Sequence, residues 1–411
     1  MYNTTVFEST LHYFNPRRMH KRVHIPESHR LHVAPSACGR RFSIMAYRDN
    51  NKQNLSHLFI SEDDVVSGCY EDLIPDAVEE LLNTLATRPR VIMIDVTCID
   101  DLLGTDHDAL LSLLTHRFPD QKFTVCHINP IAMDGKLPPM VNIQNKNYGL
   151  LDRTGKKDNA VNLVGNIAPL VRECEILEIL PGLGMRVRQI QDCQTFDEFL
   201  SMAESRLNLV VTPMAQIAAE QMLEALGIPF LFAPSSYKLA EIVQVYHDIA
   251  AVLGVDKPDL SGYLAQTREK IEKTRQHLAN LPIVVDSSST RMPFSLAKAL
   301  LDYGFNVKMI FDAMILNCDM PDYEWFKKNR PDIMIADAQR FDLVKMNIQL
   351  QECLCIGFDS AYTLGAKHLV ELPMDEFSYG FHAIDVLMTM MNEACETTVD
   401  YKAILKESEN W

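Results

Sequence analysis

Short apolar runs alternate with longer amphipathic ones along nearly the whole chain, and this alternation constrains the fold more than any other feature. A short apolar run between turn signals reads as a buried strand, and a 3.6-residue period reads as a helix. The two in alternation call for a parallel sheet, because parallel neighbours are joined only by a crossover segment, usually helical. VIMIDVTC (91–98) is strand-like, DHDALLSLLTHRF (106–118) is helical, and FTVCHI (123–128) is the next strand. A second series starts at NLVG (162–165) and runs through the helical APLVRECEILEIL, the strand RVRQI, the helix TFDEFLSMAES and the strand LNLVV. A third starts at PIVVDSSST (282–290), a strand entering a polar helix cap, and continues with the helix SLAKALLDYGF and the strands NVKMIFDAM, PDIMIADA and CLCIGF.

Two stretches read as boundaries. Residues 134–160 are polar and rich in Gly, Pro and Asn, which predicts a linker or long loop. Residues 256–282 contain the charged helical segment EKIEKTRQHLAN and then Leu281-Pro282 before a fresh strand. The expected organisation is an α/β protein of three Rossmann-like domains with mainly parallel sheets flanked by helices. The domains span about 1–150, 151–280 and 281–395, followed by a polar tail over 396–411.

Composition removes several function classes. Thirty-nine basic against 55 acidic residues leave a net charge of −16, so no bulk attraction to nucleic acid or anionic lipid is expected. No apolar run is long enough for a membrane span, and the N-terminus lacks a charged stretch followed by an apolar core. The expected location is cytoplasmic, with the ten cysteines as reduced thiols.

Nucleotide motifs fail on spacing. A phosphate loop needs four residues between its first glycine and Gly-Lys-Ser/Thr; Gly149 to Gly155-Lys156-Lys157 has five and lacks the hydroxyl. Gly182-Leu-Gly184 lacks the third glycine of a dinucleotide fingerprint and follows a helix, so it reads as a helix terminator. No nucleotide is expected on this chain. A local basic island carries His20, His24, His29 and His32 among Arg17, Arg18, Lys21, Arg22, Arg30, Arg40 and Arg41. It reads as a solvated surface, or as a positive environment beside an anionic cofactor or acidic partner.

Three cysteines fall at the ends of elements. Cys38 follows the apolar LHVA, Cys69 precedes a helix whose start is marked by Pro75, and Cys98 sits where VIMIDV stops. The carboxyl ends of parallel strands are where such sheets build sites, and helix N-termini favour the thiolate that binds iron. Spacings of 31 and 29 residues put one ligand on each structural element, unlike a compact ferredoxin run. Individually each of the three reads as an inert thiol. Cys126, Cys174, Cys353, Cys355 and Cys395 lie on apolar strand or helix stretches and read as small buried hydrophobes. Asp95, Asp106 and His127 lie at or beside strand ends and read equally as caps, loop residues or proton donors.

From about residue 30 to 392 the chain resembles the nitrogenase component 1-type oxidoreductases. These comprise nitrogenase α and β subunits, their cofactor-assembly homologues and the dark-operative protochlorophyllide and chlorin reductases. LHVAPSACG is similar to the family's His-Gly-x-x-Gly-Cys segment, SEDDVVSGCYEDL to its Gly-Gly segment, and DVTCIDDLLGTD to Thr-Cys-x-x-x-(Ile/Leu)-x-Gly-Asp-Asp. VNLVGNIAP, LNLVVTPMAQIAAEQMLEALGIPFLF, RPDIMIADA and FSYGFHAIDVL follow in the family's order.

The resemblance implies a divergent β-like member. It would bind an iron–sulfur cluster, preferably a single 4Fe-4S cubane, at an interface with a sister subunit or a second copy of itself. Electrons would come from a separate ATP-hydrolysing iron protein and pass to a substrate. Cys38 and Cys98 fall on two of the three N-domain cluster cysteines. The first family cysteine belongs near HYFNPRR, where none occurs, and Cys69 replaces the second glycine of the Gly-Gly pair. Ala219 and Tyr379 stand where the α subunit has the cysteine and histidine that ligate its catalytic cofactor, so neither ligand is retained. The alternative role is a non-catalytic scaffold for assembling an iron–sulfur or metal cofactor; a third is a binding module without a cluster.

Overall fold

The computed structural model describes residues 24–127, 138–312, 314–337, 348, 350–373 and 375–409. The first sheet contains β1 (Ser28–Ala34), β2 (Leu55–Phe59), β3 (Val91–Val96) and β4 (Lys122–His127), all parallel, in the order β2-β1-β3-β4. The second has β5 (Ala160–Val164), β6 (Arg186–Arg188), β7 (Leu207–Val210) and β8 (Phe230–Phe232) in the order β6-β5-β7-β8. The third has β9 (Ile283–Asp286), β10 (Val307–Asp312), β11 (Met334–Asp337), β12 (Leu354–Ile356) and β13 (His368–Val370), all parallel, in the order β11-β10-β9-β12-β13. The architecture is thus α/β with parallel sheets flanked by helices. The chain divides into two compact units. One holds the described residues up to Ile167 together with Val187–Phe232; the other holds Ala168–Arg186 and the described residues from Ala233 onward.

The first sheet matters most for function. Six helices are threaded around it: α1 (Ser36–Arg48), α2 (Glu62–Val66), α3 (Tyr70–Thr84), α4 (Cys98–Leu103), α5 (His107–Arg117) and α6 (Pro139–Tyr148). Successive side chains of a strand point to opposite faces, and β3 is buried on both. Its Ile92, Ile94 and Val96 belong to the core formed with Ile74, Val78 and Leu82 of α3 and Leu110 and Leu114 of α5. Val91 and Met93 belong to the opposite core, with Cys126, Tyr148, Phe196 and Met222. That double burial explains the unbroken apolar run in the sequence.

One polar pair interrupts this apolar strand. Asp95 is fully buried, and Arg30 Nη1 donates to both of its carboxylate oxygens at 3.0 Å across the β1–β3 ladder. Burial works against the guanidinium charge, but Asp95 more than compensates, so the Arg30 pKa is raised. The same neighbourhood pushes the Cys126 thiol up to about 12, through burial first and Asp95 second.

Several sequence expectations are corrected. The stretch 134–160 is not all loop: α6 starts behind Pro138 and buries Val141, Gln144, Asn145 and Tyr148 on one face. Its buried face carries amides, so no apolar period announced it; Gln144 Nε2 donates to the Gly165 carbonyl at 3.1 Å. Pro75 does not start its helix but lies inside α3, which begins five residues earlier at Tyr70. Only the far part of APLVRECEILEIL is helical, over Ile176–Gly182, and Gly184 follows with φ of 77° as the expected terminator. The basic island is only partly surface where it is described: Arg40 is exposed, but three of its members are not free surface charges. His29 and His32 lie inside β1 and are buried, and Arg30 is spent on Asp95. Residues 17–22 of the island, and the HYFNPRR segment, lie outside the described residues.

His29 Nε2 is 2.9 Å from Ser56 Oγ, and burial, with His24 nearby, lowers its pKa to about 4. An unfolded imidazole near 6.5 takes up its proton first as pH falls, so the stability this ring contributes is complete above about 6.5 and lost towards 4. Denaturant midpoints measured across that window should fall with acidification, and His29→Gln should flatten the slope. For the ion pair, Asp95→Ala strands a buried guanidinium and should cost about 3–5 kcal/mol, whereas replacing both partners with Met and Leu should recover most of that loss in urea denaturation.

Candidate functional site

β1, β2 and β3 run parallel and end level with one another: Ala34 pairs with Phe59, and Val33 with Val96. Neighbouring strands lie about 4.8 Å apart, so the segments leaving these ends start from adjacent points on one sheet edge. All three candidate cysteines belong to those segments. β1 gives way to Pro35 and α1, and Cys38 sits in the first helical turn, its N–H 2.9 Å from the Pro35 carbonyl. β3 gives way to Thr97, and Cys98 is the first residue of α4. β2 leads first into α2, started by a capping box between Ser61 and Asp64. Then comes a turn at Gly68, and Cys69 takes the N-cap position of α3. The sheet edge therefore brings Cys38 and Cys98 out within a few residues of adjacent strand ends, while Cys69 reaches the same end of the sheet by way of α2.

The three are free thiols, with Cys38 and Cys69 exposed and Cys98 half-buried. Cys69 Sγ lies 4.0 Å from the Ser67 carbonyl. Their backbone settings share one feature: each thiol is at a helix N-terminus, where unsatisfied amides favour negative charge. Behind Cys38, α1 approaches β2 through Gly39, where a Cβ would stand only 3.0 Å from His57 Nδ1. His57 bonds Ser43 Oγ at 2.9 Å and stacks on Phe59, and His32 stacks on Phe42 with ring centroids 4.0 Å apart. Burial lowers the His57 pKa, which disfavours its charged form.

The remaining cysteines are of another kind. Cys126, Cys174, Cys353 and Cys355 are buried, and burial pushes the thiols of Cys126 and Cys174 up to about 12. Burial raises Cys193 and Cys318 to about 11 and also raises Cys395. A thiol that holds its proton is a poor metal ligand; Cys353 is the exception, its pKa lowered by the hydrogen bond with Cys355. Cys353 and Cys355 point the same way off β12, with sulfurs 3.7 Å apart. Ala219 packs into the core and has no side-chain donor atom; the Tyr379 hydroxyl donates to the Ala233 carbonyl at 2.9 Å.

Asp95 is taken by Arg30, and Asp106 caps α5, accepting from the backbone N–H groups of Asp108 and Ala109. His127 instead meets two residues that sequence reasoning did not single out, Asp100 and His107. Spacing along the chain hides that group, because β3 and β4 deliver its members separately. The usable signal was that both strands end at the same sheet edge.

Comparison with known proteins bears on the fold and the family. The family model described as nitrogenase component 1 type oxidoreductase matches residues 25–396. The solved structure titled "Nitrogenase Cp1 at pH 6.5" superposes with a TM-score of 0.74 at 15% identity, covering 96% of this chain and 92% of that one. "Nitrogenase Cp1 at pH 5" gives a TM-score of 0.64 at 14% identity, covering 90% and 85%. No curated protein matches the sequence. Among the described residues no helix is long and apolar enough to cross a membrane. With its family match running from β1 to the end of the third sheet's last long helix, the chain belongs to the nitrogenase component 1-type oxidoreductases.

Proposed function

We propose that this chain is a subunit of a nitrogenase-like reductase complex that holds an iron–sulfur cluster through Cys38, Cys98 and Cys69. The observation that carries the reading is the placement of all three free thiols on segments leaving three adjacent, level strand ends. Thiolates are the donors such clusters take, and three helix N-termini at that edge favour an anionic group. Ligands of one cluster bind different irons and so stand farther apart than ligands of a single ion. One ligand for each structural element suits that spread.

The exposure of Cys38 and Cys69 on the single chain fits a site completed by another protein surface. The partner is a sister component 1 subunit or a second copy of this chain, which also supplies the fourth ligand and covers the cluster. A bound 4Fe-4S cluster supplies one-electron storage with its charge spread over iron and sulfide. This chain's residues grip it, fix its orientation against the sheet edge and, on the partner side, exclude water. Electrons come from a separate ATP-hydrolysing iron protein, in the cytoplasm, and the ATP chemistry resides there.

The same exposure favours one second reading, an assembly scaffold that hands its cluster on. Reduction and substrate turnover with an iron protein, against transfer of iron and sulfide to an apo-acceptor, separates the two.

Anaerobic reconstitution with iron and sulfide should give a brown protein with acid-labile sulfide. Cys38→Ser, Cys98→Ser and Cys69→Ser should each remove most of the absorbance, while Cys126→Ser should leave it unchanged. A folded, colourless, iron-free wild-type protein after reconstitution would contradict the proposal.

A further inference from the structure

Past Cys98, the carboxyl edge of the first sheet carries a second set of converging side chains. Asp100 lies in α4; Gly104, with φ of 69°, ends that helix and turns the chain towards α5, whose first residue is His107. His127 ends β4 on the neighbouring strand. One ligand atom from each of Asp100, His107 and His127 lies within 4.8 Å of the others. His107 Nε2 is 2.8 Å from Asp100 Oδ2, and His127 Nε2 is 3.0 Å from His107 Nδ1. His127 Nδ1 is 3.3 Å from Asp101 Oδ1 and 4.0 Å from Asp100 Oδ2. The Tyr70 hydroxyl donates to the other Asp100 oxygen at 3.0 Å.

With both imidazoles neutral, each has one N–H: His107 gives its Nε2–H to Asp100 and accepts at Nδ1 from His127 Nε2–H. His127 Nδ1 then faces the Asp100 and Asp101 carboxylates, a position that either a proton or a bound cation can fill.

We propose that Asp100, His107 and His127, with Asp101 as a further carboxylate, form a mononuclear site for a divalent transition-metal ion of the Zn2+, Co2+ or Fe2+ class. Two imidazoles and a carboxylate suit these borderline ions, whereas Mg2+ and Ca2+ take oxygen donors. Metal–ligand bonds of about 2.0–2.2 Å at a tetrahedral angle hold donor atoms ~3.3 Å apart. From Asp100 Oδ2 the distances to His107 Nε2 and His127 Nδ1 are 2.8 and 4.0 Å, which bracket that value, and one ligand atom from each residue lies within 4.8 Å of the others. Asp100 is 1% exposed while the His107 and His127 side chains are 21% and 28% exposed, so a fixed carboxylate sits beneath an open face through which an ion enters. Tyr70 is a positioning residue that orients the Asp100 carboxylate, as hydrogen-bonded outer groups do in metal sites. No cysteine takes part, so the site stands or falls independently of the cluster.

The test is Co2+ titration of the chelator-treated full-length chain carrying Cys38→Ser, Cys69→Ser and Cys98→Ser, which removes the cluster thiols, under anaerobic conditions. One Co2+ per chain is expected, with visible ligand-field bands and no sulfur-to-cobalt charge transfer. His107→Ala and His127→Ala should each weaken binding at least 100-fold, and Tyr70→Phe by about 10–100-fold. Should the alanine variants fail to fold, wild-type protein answers the same question: Zn2+ should protect His107 and His127 from diethyl pyrocarbonate, read by mass spectrometry. Absence of saturable Co2+ uptake, a thiolate spectrum, binding unchanged in folded His107→Ala and His127→Ala proteins, or both rings modified equally with and without Zn2+ would each overturn the proposal.

Discussion

The Arg30–Asp95 pair is the contact on which the site's geometry rests. It lies inside the β1–β3 ladder, with Asp95 fully buried and both carboxylate oxygens taken by one guanidinium nitrogen at 3.0 Å. An apolar ladder can slip; a slip here would pull a buried charge off its partner. The pair therefore fixes which residues of β1 and β3 lie side by side, and with them the level at which the two strands end. Cys38 and Cys98 follow those ends at once. A charge pair in the core thus sets where two thiols emerge at the rim.

Burial raises the thiol pKa of several cysteines packed in sheets or against helices, Cys126 and Cys174 among them. Those on the carboxyl edge of the first sheet lie exposed or half-buried at helix N-termini. The same edge carries the Asp100, His107 and His127 group one strand further along, so the first sheet gathers both sets of candidate metal ligands at one end. Neither set needs a residue from the other compact unit.

Much of this was legible in the sequence because parallel α/β folds advertise themselves. β3 is buried on both faces and reads as an unbroken apolar run; β7, β9, β10 and β12 fall within the runs read as strands, and β4 starts one residue before its run. The three sheets draw on residues 28–127, 160–232 and 283–370 in turn. What escaped was polar and buried. The helix α6 hides amides on its inner face, so hydropathy took it for loop. His29 and His32 look like surface charge in a basic run but alternate into the core of β1. Pro75 suggested a helix start because it lacks an N–H, yet α3 tolerates it inside and begins earlier, which is what places Cys69 at an N-cap. The pairing of His107 with His127 depends on strand order, a property no local window contains.

In the proposed function, sulfur from these turns, rather than any other donor, grips iron as a cluster. Iron K-edge X-ray absorption on the anaerobically reconstituted wild-type chain, in the presence of its partner, tests it most directly. The account predicts an iron environment dominated by sulfur, with a second shell of iron neighbours. Iron surrounded only by nitrogen and oxygen, with no iron–iron scattering, would contradict it.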